Sequence, residues 1–373
     1  MTWGAWIDDE LASIRSSGRW RQHRVFDGDG IVHRDGEGRT LVSFASNDYL
    51  GLTQHPAVVA AAHAAIERWG TGSGSARLIV GSRPVHHELE AALADWKCEP
   101  AAMLFATGFA ANLGVLSALG AGALIISDEL NHASIIDGCR LSRGRVEIAR
   151  HGDLDAIDRI LAERDEARAL VVTDTVFSMD GDVADLSGLI DVCARRDAML
   201  VLDEAHAVLG PEPDVAQLAR VAHVRVGTLS KTLGSLGGFV AGSQSIVDLL
   251  VNRARSAIFT TATTPADAAA ALAALGVVRS DEGDHLRARL RDNVDRVRPH
   301  HPSPIVPIVC GHEERTLDAA AALLDAGCLV PAIRPPTVAR GSSRLRVTLS
   351  AAHTPEQVTM LLDALASIGL TPC

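Results

Sequence analysis

Short apolar runs alternate with amphipathic segments over most of the chain. Segments 84–96, 109–119, 153–164 and 186–197 place their apolar residues at helical spacing. Strands that are apolar throughout and separated by helices are typical of βαβ units, so we predict an α/β fold around a mostly parallel sheet. Six runs are predicted as its buried strands: AAMLFAT (101–107), ALIISD (123–128), ALVVTDT (169–175), AMLVLDE (198–204), HVRVGTL (223–229) and GGFVAG (237–242).

The two ends of the chain follow different patterns. Residues 5–17 are predicted as an amphipathic helix and residues 30–44 as a hairpin with a glycine-rich turn. After the helix-rich stretch 265–298, HHPSPIVPIV predicts a linker that runs into a strand. The remaining pattern to residue 369 predicts a small α+β domain. We therefore expect three parts: an N-terminal arm over 1–45, a large α/β domain over 46–285, and a C-terminal α+β domain over 286–373.

Composition narrows the class of protein. The formal net charge of -11 argues against a nucleic-acid binder or a protein bound to anionic membranes. No apolar run approaches the roughly 20 residues of a membrane span, and the first residues lack the basic and apolar regions of a signal peptide. Six cysteines are scattered without a C-x-x-C pair, as expected for reduced thiols. We expect a cytoplasmic globular protein.

Lysine is almost absent from the chain. Two of the 35 cationic side chains are lysines, Lys97 and Lys231, and the others are arginines. Lys231 lies in the glycine-rich stretch VGTLSKTLGSLGG. A deprotonated lysine amine forms an imine with an aldehyde, a reaction that arginine lacks, so this lysine points to pyridoxal phosphate (PLP) chemistry. Lys97, between Trp96 and Cys98, is expected to be a solvated lysine at a helix end.

A nucleic-acid-dependent NTPase is the remote alternative. The sequences D-E-A-H at 203–206 and S-K-T at 230–232 resemble parts of such enzymes. Their phosphate-binding loop requires G-x-x-x-x-G-K-S/T, but Ser230 and Arg225 occupy the two glycine positions. The lysine also follows the acidic strand end, whereas that loop should precede it. These departures disfavour the NTPase.

Several residues match the other needs of PLP. Asp203 ends an apolar strand, where its carboxylate can pair with the pyridine nitrogen. The amides of Gly108 and Phe109 begin a helix after a strand and can bind a phosphate, to which Thr228 can add a hydroxyl. His132 follows another strand and can stack on the ring. Helix capping would explain Asp203 or His132 taken singly, but the joint order of these residues favours the cofactor.

These stretches resemble the fold-type I PLP enzymes and, within them, the α-oxoamine synthases, over nearly the whole chain. That family condenses an amino acid with an acyl thioester and releases CO2. Segment 332–354 looks most like the members that join L-alanine to pimeloyl-CoA or pimeloyl-acyl carrier protein in biotin synthesis. A sibling that uses glycine or serine, such as glycine C-acetyltransferase, is the nearer alternative. The matching stretches are FASNDYLGL, GTGSGSARLIVGSRPVHHELE, GFAANLG, NHASIIDG, TDTVFSMDGD, LVLDEAH, TLSKTLG and RLRVTLSAAHT.

The resemblance implies roles around the cofactor ring. Lys231 would bind the cofactor aldehyde and later act as base or acid at the substrate α carbon. Asp203 would pair with the pyridine nitrogen, and His132 would stack on the ring. His206 and Ser178 would contact the phenolic oxygen of the ring or the thioester carbonyl.

The resemblance also implies substrate and partner contacts. Asn47 and Arg346 would hold the carboxylate of the amino acid. Thr260 and Thr261 would reach the phosphate bound by a neighbouring subunit, so a homodimer with shared sites is expected. Two positions correspond to the surroundings of the acyl chain and its distal carboxylate: Arg21 and Thr337.

Two stretches depart from the family's pattern. AVLGPEPDVAQ (207–217) replaces a longer glycine-rich loop after D-E-A-H, and GSGSARL (72–78) has fewer glycines than usual. We expect the shortened loop to affect access of the thioester and not cofactor binding. It also leaves open a PLP-binding protein that has lost activity.

Overall fold

A computed structural model describes residues 1–372. The strands are β1 (Phe26–Asp29), β2 (Val32–Asp35), β3 (Thr40–Ser43), β4 (Ala101–Phe105), β5 (Leu124–Asp128), β6 (Arg145–Ala149), β7 (Ala169–Asp174), β8 (Met199–Asp203), β9 (His223–Thr228), β10 (Gly238–Gly242), β11 (Ile305–Gly311), β12 (Cys328–Leu329), β13 (Ala332–Ile333) and β14 (Ser343–Thr348). The helices are α1 (Trp3–Ser16), α2 (Pro56–Trp69), α3 (Pro84–Trp96), α4 (Gly108–Leu119), α5 (Ala133–Leu141), α6 (Leu154–Ala162), α7 (Leu186–Arg196), α8 (Val215–Leu218), α9 (Gln244–Arg253), α10 (Arg255–Ile258), α11 (Pro265–Val278), α12 (Asp281–Val297), α13 (Glu313–Asp325) and α14 (Pro355–Ser367).

The central sheet has seven strands in the order β4-β10-β9-β8-β7-β5-β6. β10 runs antiparallel to both of its neighbours, and the other neighbouring pairs are parallel. The predicted α/β fold and mostly parallel sheet are therefore confirmed, and so are all six predicted strands. β6 was not predicted, because this edge strand alternates charged and apolar residues and only Ala149 is buried.

The core lies on both faces of this sheet because successive side chains of a strand point to opposite faces. In β8, Val201 joins an apolar cluster with α4, α5 and α9, whereas Leu200 and Leu202 join a second cluster with α6 and α7. Full burial of each such side chain contributes about 1.5–3 kcal/mol of hydrophobic stabilisation. The four predicted helices correspond to α3, α4, α6 and α7, with ends that shift by no more than two residues.

The N-terminal segment forms the predicted helix, α1, and the predicted hairpin, β2–β3. β1 extends the hairpin, and β12 pairs in parallel with β3. A strand from the C-terminal part of the chain therefore completes the N-terminal sheet. A third sheet, of order β11-β14-β13, carries the C-terminal residues. The division of the chain at residues 45 and 285 stays a prediction.

Parallel strands bring the residues that follow them to one edge of the sheet, where ligands bind in open α/β sheets. Asp174 and Asp203 end β7 and β8 in register with each other, and Thr228 ends β9. Gly108 begins α4 after β4, and His132 precedes α5 after β5. Among residues 1–372, no helix has both the length and the apolarity needed to cross a membrane.

Candidate active site

Lys231 contacts His206 at the carboxyl edge of the sheet. Lys231 follows β9 and His206 follows β8, and the Lys231 Nζ atom lies 2.7 Å from His206 Nε2. Burial lowers the pKa of Lys231 to about 8, although the carboxylates of Asp203 and Asp174 act in the opposite direction. Burial and the nearby cations hold the pKa of His206 well below its ordinary value. A neutral imidazole therefore faces an amine that deprotonates readily.

Tyr49 links this pair to the substrate-binding residues predicted from the sequence. Its Oη atom lies 2.5 Å from His206 Nδ1 and 3.2 Å from Asn47 Oδ1. Burial raises the pKa of Tyr49 to about 12, so its hydroxyl stays protonated. An imidazole protonated at Nδ1 satisfies every contact, because it donates to Tyr49, Tyr49 donates to Asn47, and Lys231 donates to Nε2.

Arg346 extends this network from β14. Its Nη2 donates to Asn47 Oδ1 at 3.2 Å, its Nε donates to the Ser178 carbonyl at 2.5 Å, and its Nη1 donates to Thr348 Oγ1 at 2.8 Å. Arg346 is buried, and within residues 1–372 it forms no salt bridge with a carboxylate. Burial of a guanidinium without a carboxylate partner is costly. The arrangement is therefore suited to the carboxylate of a bound substrate, and the substrate-binding roles of Asn47 and Arg346 stay predictions.

Asp203 is a buried carboxylate held by neutral donors. Asn112 Nδ2 donates to Asp203 Oδ2 at 2.7 Å, and the Ala205 amide donates to Oδ1 at 2.9 Å. Asp174 lies beside Asp203 on the neighbouring strand and accepts the His132 amide at 2.7 Å. Burial and the Asp203 charge hold the pKa of Asp174 well above its ordinary value. In the described part of the chain neither carboxylate forms a salt bridge, so the pair can accept one cationic group.

His132 lies beside Asp203 and also caps α5. Its Nδ1 accepts the Ser134 amide at 3.2 Å and lies 2.7 Å from Ser134 Oγ. Asn112 Nδ2, 2.9 Å from the same hydroxyl, connects this cap to Asp203. The Phe109 ring meets the His132 ring edge to face, with centroids 6.4 Å apart. The capping role considered for His132 is therefore present, and a second role as a ring-stacking residue stays a prediction.

Gly108, Phe109 and Thr228 form a small cradle, and their role as a phosphate site stays a prediction. Gly108 and Phe109 are the first residues of α4, so their amides have no carbonyl partner within the helix. A Cβ atom on Gly108 would lie 3.2 Å from Thr228 Cβ and 3.4 Å from its Oγ1. The Ser230 hydroxyl, 2.7 Å from Thr228 Oγ1, adds a donor that sequence reasoning missed. Free amides at a helix N-terminus beside two hydroxyls can bind a phosphate.

The other predicted residues lie apart from this network. Thr260 and Thr261 line a separate cavity of about 540 Å³. Arg21 is exposed in the segment between α1 and β1. Thr337 is exposed in the loop before β14, where its amide donates to the Arg334 carbonyl at 3.0 Å. Within a single chain the structure thus brings together the predicted cofactor and carboxylate residues but not these four.

The prediction for Lys97 was wrong. Its side chain is 4% exposed, and its Nζ atom lies 2.8 Å from Glu204 Oε2 and 4.0 Å above the Trp96 ring. The residues before it gave no sign of this partner, because Glu204 lies more than a hundred positions further along the chain. Glu204 is buried and requires a cation. Both lysines of the chain are therefore paired inside the fold.

Comparison with known proteins assigns the family. The profile of aminotransferase class I and II matches residues 39–365. The 8-amino-7-oxononanoate synthase of Anaeromyxobacter dehalogenans is 48% identical, covering 97% of this chain and 95% of that protein. The chain belongs to the aminotransferase class I and II family. The synthase of the same name from Burkholderia thailandensis is 45% identical over 97% of this chain and 98% of its own. A structure of SPT with the PLP internal aldimine is 28% identical, covers 99% of this chain and 100% of its own, and has a TM-score of 0.91.

Proposed function

We propose that this protein is a PLP-dependent acyltransferase, an 8-amino-7-oxononanoate synthase. It would condense L-alanine with pimeloyl-CoA or pimeloyl-acyl carrier protein, releasing CO2 and the thiol carrier, in the synthesis of biotin. The observation that carries the proposal is the contact between Lys231, whose pKa burial lowers to about 8, and His206, three residues after the buried Asp203. Family members of that name at 43–48% identity support it.

The residues present fit PLP. Asp203, which is buried and forms no salt bridge among residues 1–372, would hold the pyridine nitrogen, and Lys231 would bind the aldehyde. The cradle at Gly108, which a Cβ atom would fill, would hold the phosphate together with Thr228. His132 would lie against the ring. When bound, PLP supplies an electron sink that stabilises negative charge at the α carbon of an amino acid.

The side chains of the chain itself perform the remaining tasks. Asn47 and Arg346 bind and orient the alanine carboxylate. The Lys231 amine, largely neutral above pH 8, takes and returns a proton at the alanine α carbon. His206 stays neutral and, through Nε2, holds the Lys231 amine in place while Tyr49 fixes the opposite ring nitrogen. Ser178 would contact the cofactor or the thioester carbonyl from the turn that Arg346 anchors.

The proposal includes a homodimer. Leu78, Ile79, Val80 and Phe259 are 56%, 74%, 67% and 70% exposed. Leu78 lines the same cavity as Thr260 and Thr261. An apolar surface of this kind is suited to burial against a second copy of the chain, in which the two threonines would reach the partner's phosphate. We expect sedimentation velocity to give the mass of two chains.

The proposal also includes the residues near the acyl chain and the cellular location of the protein. Arg21 and Thr337 would lie near the acyl chain and its distal carboxylate once the dimer forms. A cytoplasmic location is supported by the five cysteines among residues 1–372, all of which are free thiols.

A direct assay tests the function. Purified protein is supplied with L-alanine, glycine or L-serine, each with pimeloyl-CoA or pimeloyl-acyl carrier protein, and the products are identified by mass spectrometry. We expect 8-amino-7-oxononanoate from L-alanine, with kcat/KM at least about tenfold above that for glycine or serine. Turnover of glycine or serine in preference to alanine would replace the proposal with a sibling synthase. Comparison of the two acyl donors also identifies the carrier.

Cofactor binding should depend on pH in a specific way. The rate at which cofactor-free protein binds PLP is expected to rise about tenfold per pH unit up to about pH 8 and then level off. Only the deprotonated amine reacts with the aldehyde, and burial lowers the pKa of Lys231 to about 8. Stopped-flow absorbance measures the rate. The reaction of PLP with Nα-acetyllysine, which carries a solvated lysine amine, is the reference that reveals any effect of PLP ionisation. A rise that continues to about pH 10, as for a solvated lysine, would contradict the lowered pKa.

Replacing Gly108 with alanine should weaken cofactor binding. The new Cβ atom would lie 3.2 Å from Thr228 Cβ and occupy the cradle. Overpacking of this kind costs about 1–3 kcal/mol, so the Kd for PLP should rise about 10- to 100-fold in a fluorescence titration. Gly276→Ala in α11 is the matched control, because among residues 1–372 no atom beyond its chain neighbours and its own helix backbone lies within 4 Å of its Cβ position. Equal Kd values for the two variants would exclude the cradle as the phosphate site.

A further inference from the structure

Both lysines of the chain contact the same four-residue segment. On one side of residues 203–206, the Lys231 Nζ atom lies 2.7 Å from His206 Nε2. On the other side, the Lys97 Nζ atom lies 2.8 Å from Glu204 Oε2. Glu204 directly follows Asp203 in the sequence, but the two carboxylates have different partners, since Asp203 accepts from Asn112. The segment that carries Asp203 and His206 is therefore held by Lys97, through Glu204, as well as by Lys231.

Lys97 belongs to a cluster of four charged residues, which we call the ion cluster: Lys97, Glu204, Glu212 and Arg225. Arg225 Nε donates to Glu204 Oε1 at 2.6 Å, and Arg225 Nη2 donates to Glu212 Oε2 at 2.6 Å. Arg225 Nη1 also donates to the Lys97 carbonyl at 2.8 Å. The side chains of Lys97, Glu204 and Arg225 are 4%, 2% and 3% exposed. Two cations and two carboxylates thus neutralise one another, three of them away from water and Glu212 at the surface.

The carboxylate at the centre of the ion cluster stays ionised. Burial alone would raise the pKa of Glu204, but Lys97 and Arg225 together lower it below its ordinary value. Removal of either cation would leave a buried carboxylate with an incomplete set of partners. Such a group must take up a proton, which weakens its contact with the remaining cation, or move toward water, which displaces the end of β8.

The ion cluster joins the elements that carry the active-site residues. Lys97 directly follows α3, and Arg225 lies in β9, which leads to Thr228 and Lys231. The Glu204 amide donates to the Val226 carbonyl of β9 at 2.8 Å. Glu212 lies in the loop 207–214 that follows His206, and its carboxylate reaches Arg225 and, at 3.4 Å, Lys97. A shift at any member is therefore transmitted to the end of β8 or to the loop.

A displacement of Glu204 would also displace His206. The Ala205 amide donates to Asp203 Oδ1 at 2.9 Å, and the Ala207 amide donates to the Glu204 carbonyl at 3.1 Å. These short-range hydrogen bonds tie residues 203–207 together. Displacement of about 1 Å at a catalytic group can lower a rate about 100-fold.

We propose that the ion cluster positions His206 and the loop 207–214 for catalysis, with Lys97 as its key positioning residue. This inference rests on the function proposed above, and it assigns a task to the one lysine that does not bind the cofactor. A buried ion cluster that acted only on stability would be replaceable by apolar residues without loss of activity. A cluster that positions His206 would lose activity on the same replacement.

The test compares Lys97→Met with the wild-type holoenzyme. We expect kcat to fall about 10- to 100-fold, while KM for alanine stays within about threefold, because the substrate carboxylate is held elsewhere by Arg346. The pH titration of the visible absorbance of the bound cofactor should shift its midpoint, since the contact between His206 and Lys231 changes. Arg145→Met is the matched control, because it breaks an ion pair with Glu166 at the outer edge of the sheet. It should leave kcat, KM and the titration unchanged.

A second pair of variants separates positioning from stability. The double variant Lys97→Met/Glu204→Gln removes both charges, and we expect it to recover the melting temperature lost in Lys97→Met but not kcat. Glu212 is 56% exposed, so Glu212→Gln should fold even if Lys97→Met does not, and its kcat should fall about three- to tenfold.

The outcomes distinguish the two proposals. A wild-type protein that binds no PLP or makes no product would refute the proposed function itself. An active wild type whose folded Lys97→Met variant keeps the wild-type kcat and titration would overturn the positioning role alone. Recovery of kcat together with melting temperature in the double variant would do the same. If Lys97→Met does not fold, an unchanged kcat in Glu212→Gln overturns it.

Discussion

Replacing Lys231 with alanine is expected to lower kcat by about 10⁴-fold or more and to abolish covalent attachment of PLP. Lys231 is the amine that would bind the aldehyde and the group that moves the proton at the α carbon, so one substitution removes both. His206 would lose its 2.7 Å contact but keep the one to Tyr49. Borohydride reduction followed by peptide mass mapping measures attachment, and steady-state assays measure kcat.

Lys231→Arg is the sharper control for this prediction. It restores a cation near Asp203 and Asp174 but cannot form the imine. The fold should therefore be retained, with a melting temperature close to that of the wild type and no covalent label. Labelling of Lys97 in place of Lys231 would be unexpected, because Lys97 is 4% exposed and is held by Glu204. Turnover by Lys231→Arg at the wild-type rate would contradict the assignment.

The central fold was predictable because its strands are buried on both faces. Continuous apolar runs such as those of β7 and β8, with helical segments between them, favour the buried strands of a parallel sheet. β6 escaped prediction because an edge strand needs apolar residues on fewer positions. The pairing of β12 with β3 was also beyond the sequence, since two residues that join a distant strand leave no periodic pattern.

The site residues predicted from their own chemistry were those whose chemistry is visible locally, whereas the family resemblance supplied others such as Asn47 and Arg346. A lysine in a glycine-rich turn and an aspartate at a strand end are recognisable on their own. Tyr49 and Asn112 were missed although both lie in quoted stretches, because their roles arise from partners far along the chain: His206 and Asp203. One signal was available for Tyr49. It is the sole tyrosine of the chain, and a buried phenol requires a hydrogen-bond partner.

The error for Lys97 has the same cause, because its partners also lie far along the chain. Its neighbours Trp96 and Cys98 predict a helix end, and α3 does end there. Its burial depends on Glu204 and Arg225, which approach only when β8 and β9 pair. The rarity of lysine in this chain was the better guide to a specific role for Lys97, because it applies to both lysines equally.

Replacing Asp203 with asparagine should lower kcat about 10³-fold while the protein stays folded. The amide has the size of the carboxylate and can still accept from the Ala205 amide, but it carries no charge to keep the pyridine nitrogen protonated. PLP would then withdraw electrons less effectively from the α carbon. Nitrogen-15 NMR with labelled cofactor would report the loss of that proton directly, independently of turnover. The KM for alanine should change only a few-fold, because Asn47 and Arg346 are untouched.

Asp174→Asn is the control that makes the Asp203 prediction specific. The two aspartates end neighbouring strands in register, but burial and the Asp203 charge raise the pKa of Asp174, which disfavours the charged form of its carboxyl. An asparagine there would still accept the His132 amide, which donates at 2.7 Å in the wild type. We therefore expect kcat to fall less than about tenfold. Asp185→Asn, at the start of α7, should have no effect, since asparagine is an equally good helix cap. A loss of kcat in Asp174→Asn as large as in Asp203→Asn would contradict a role specific to Asp203.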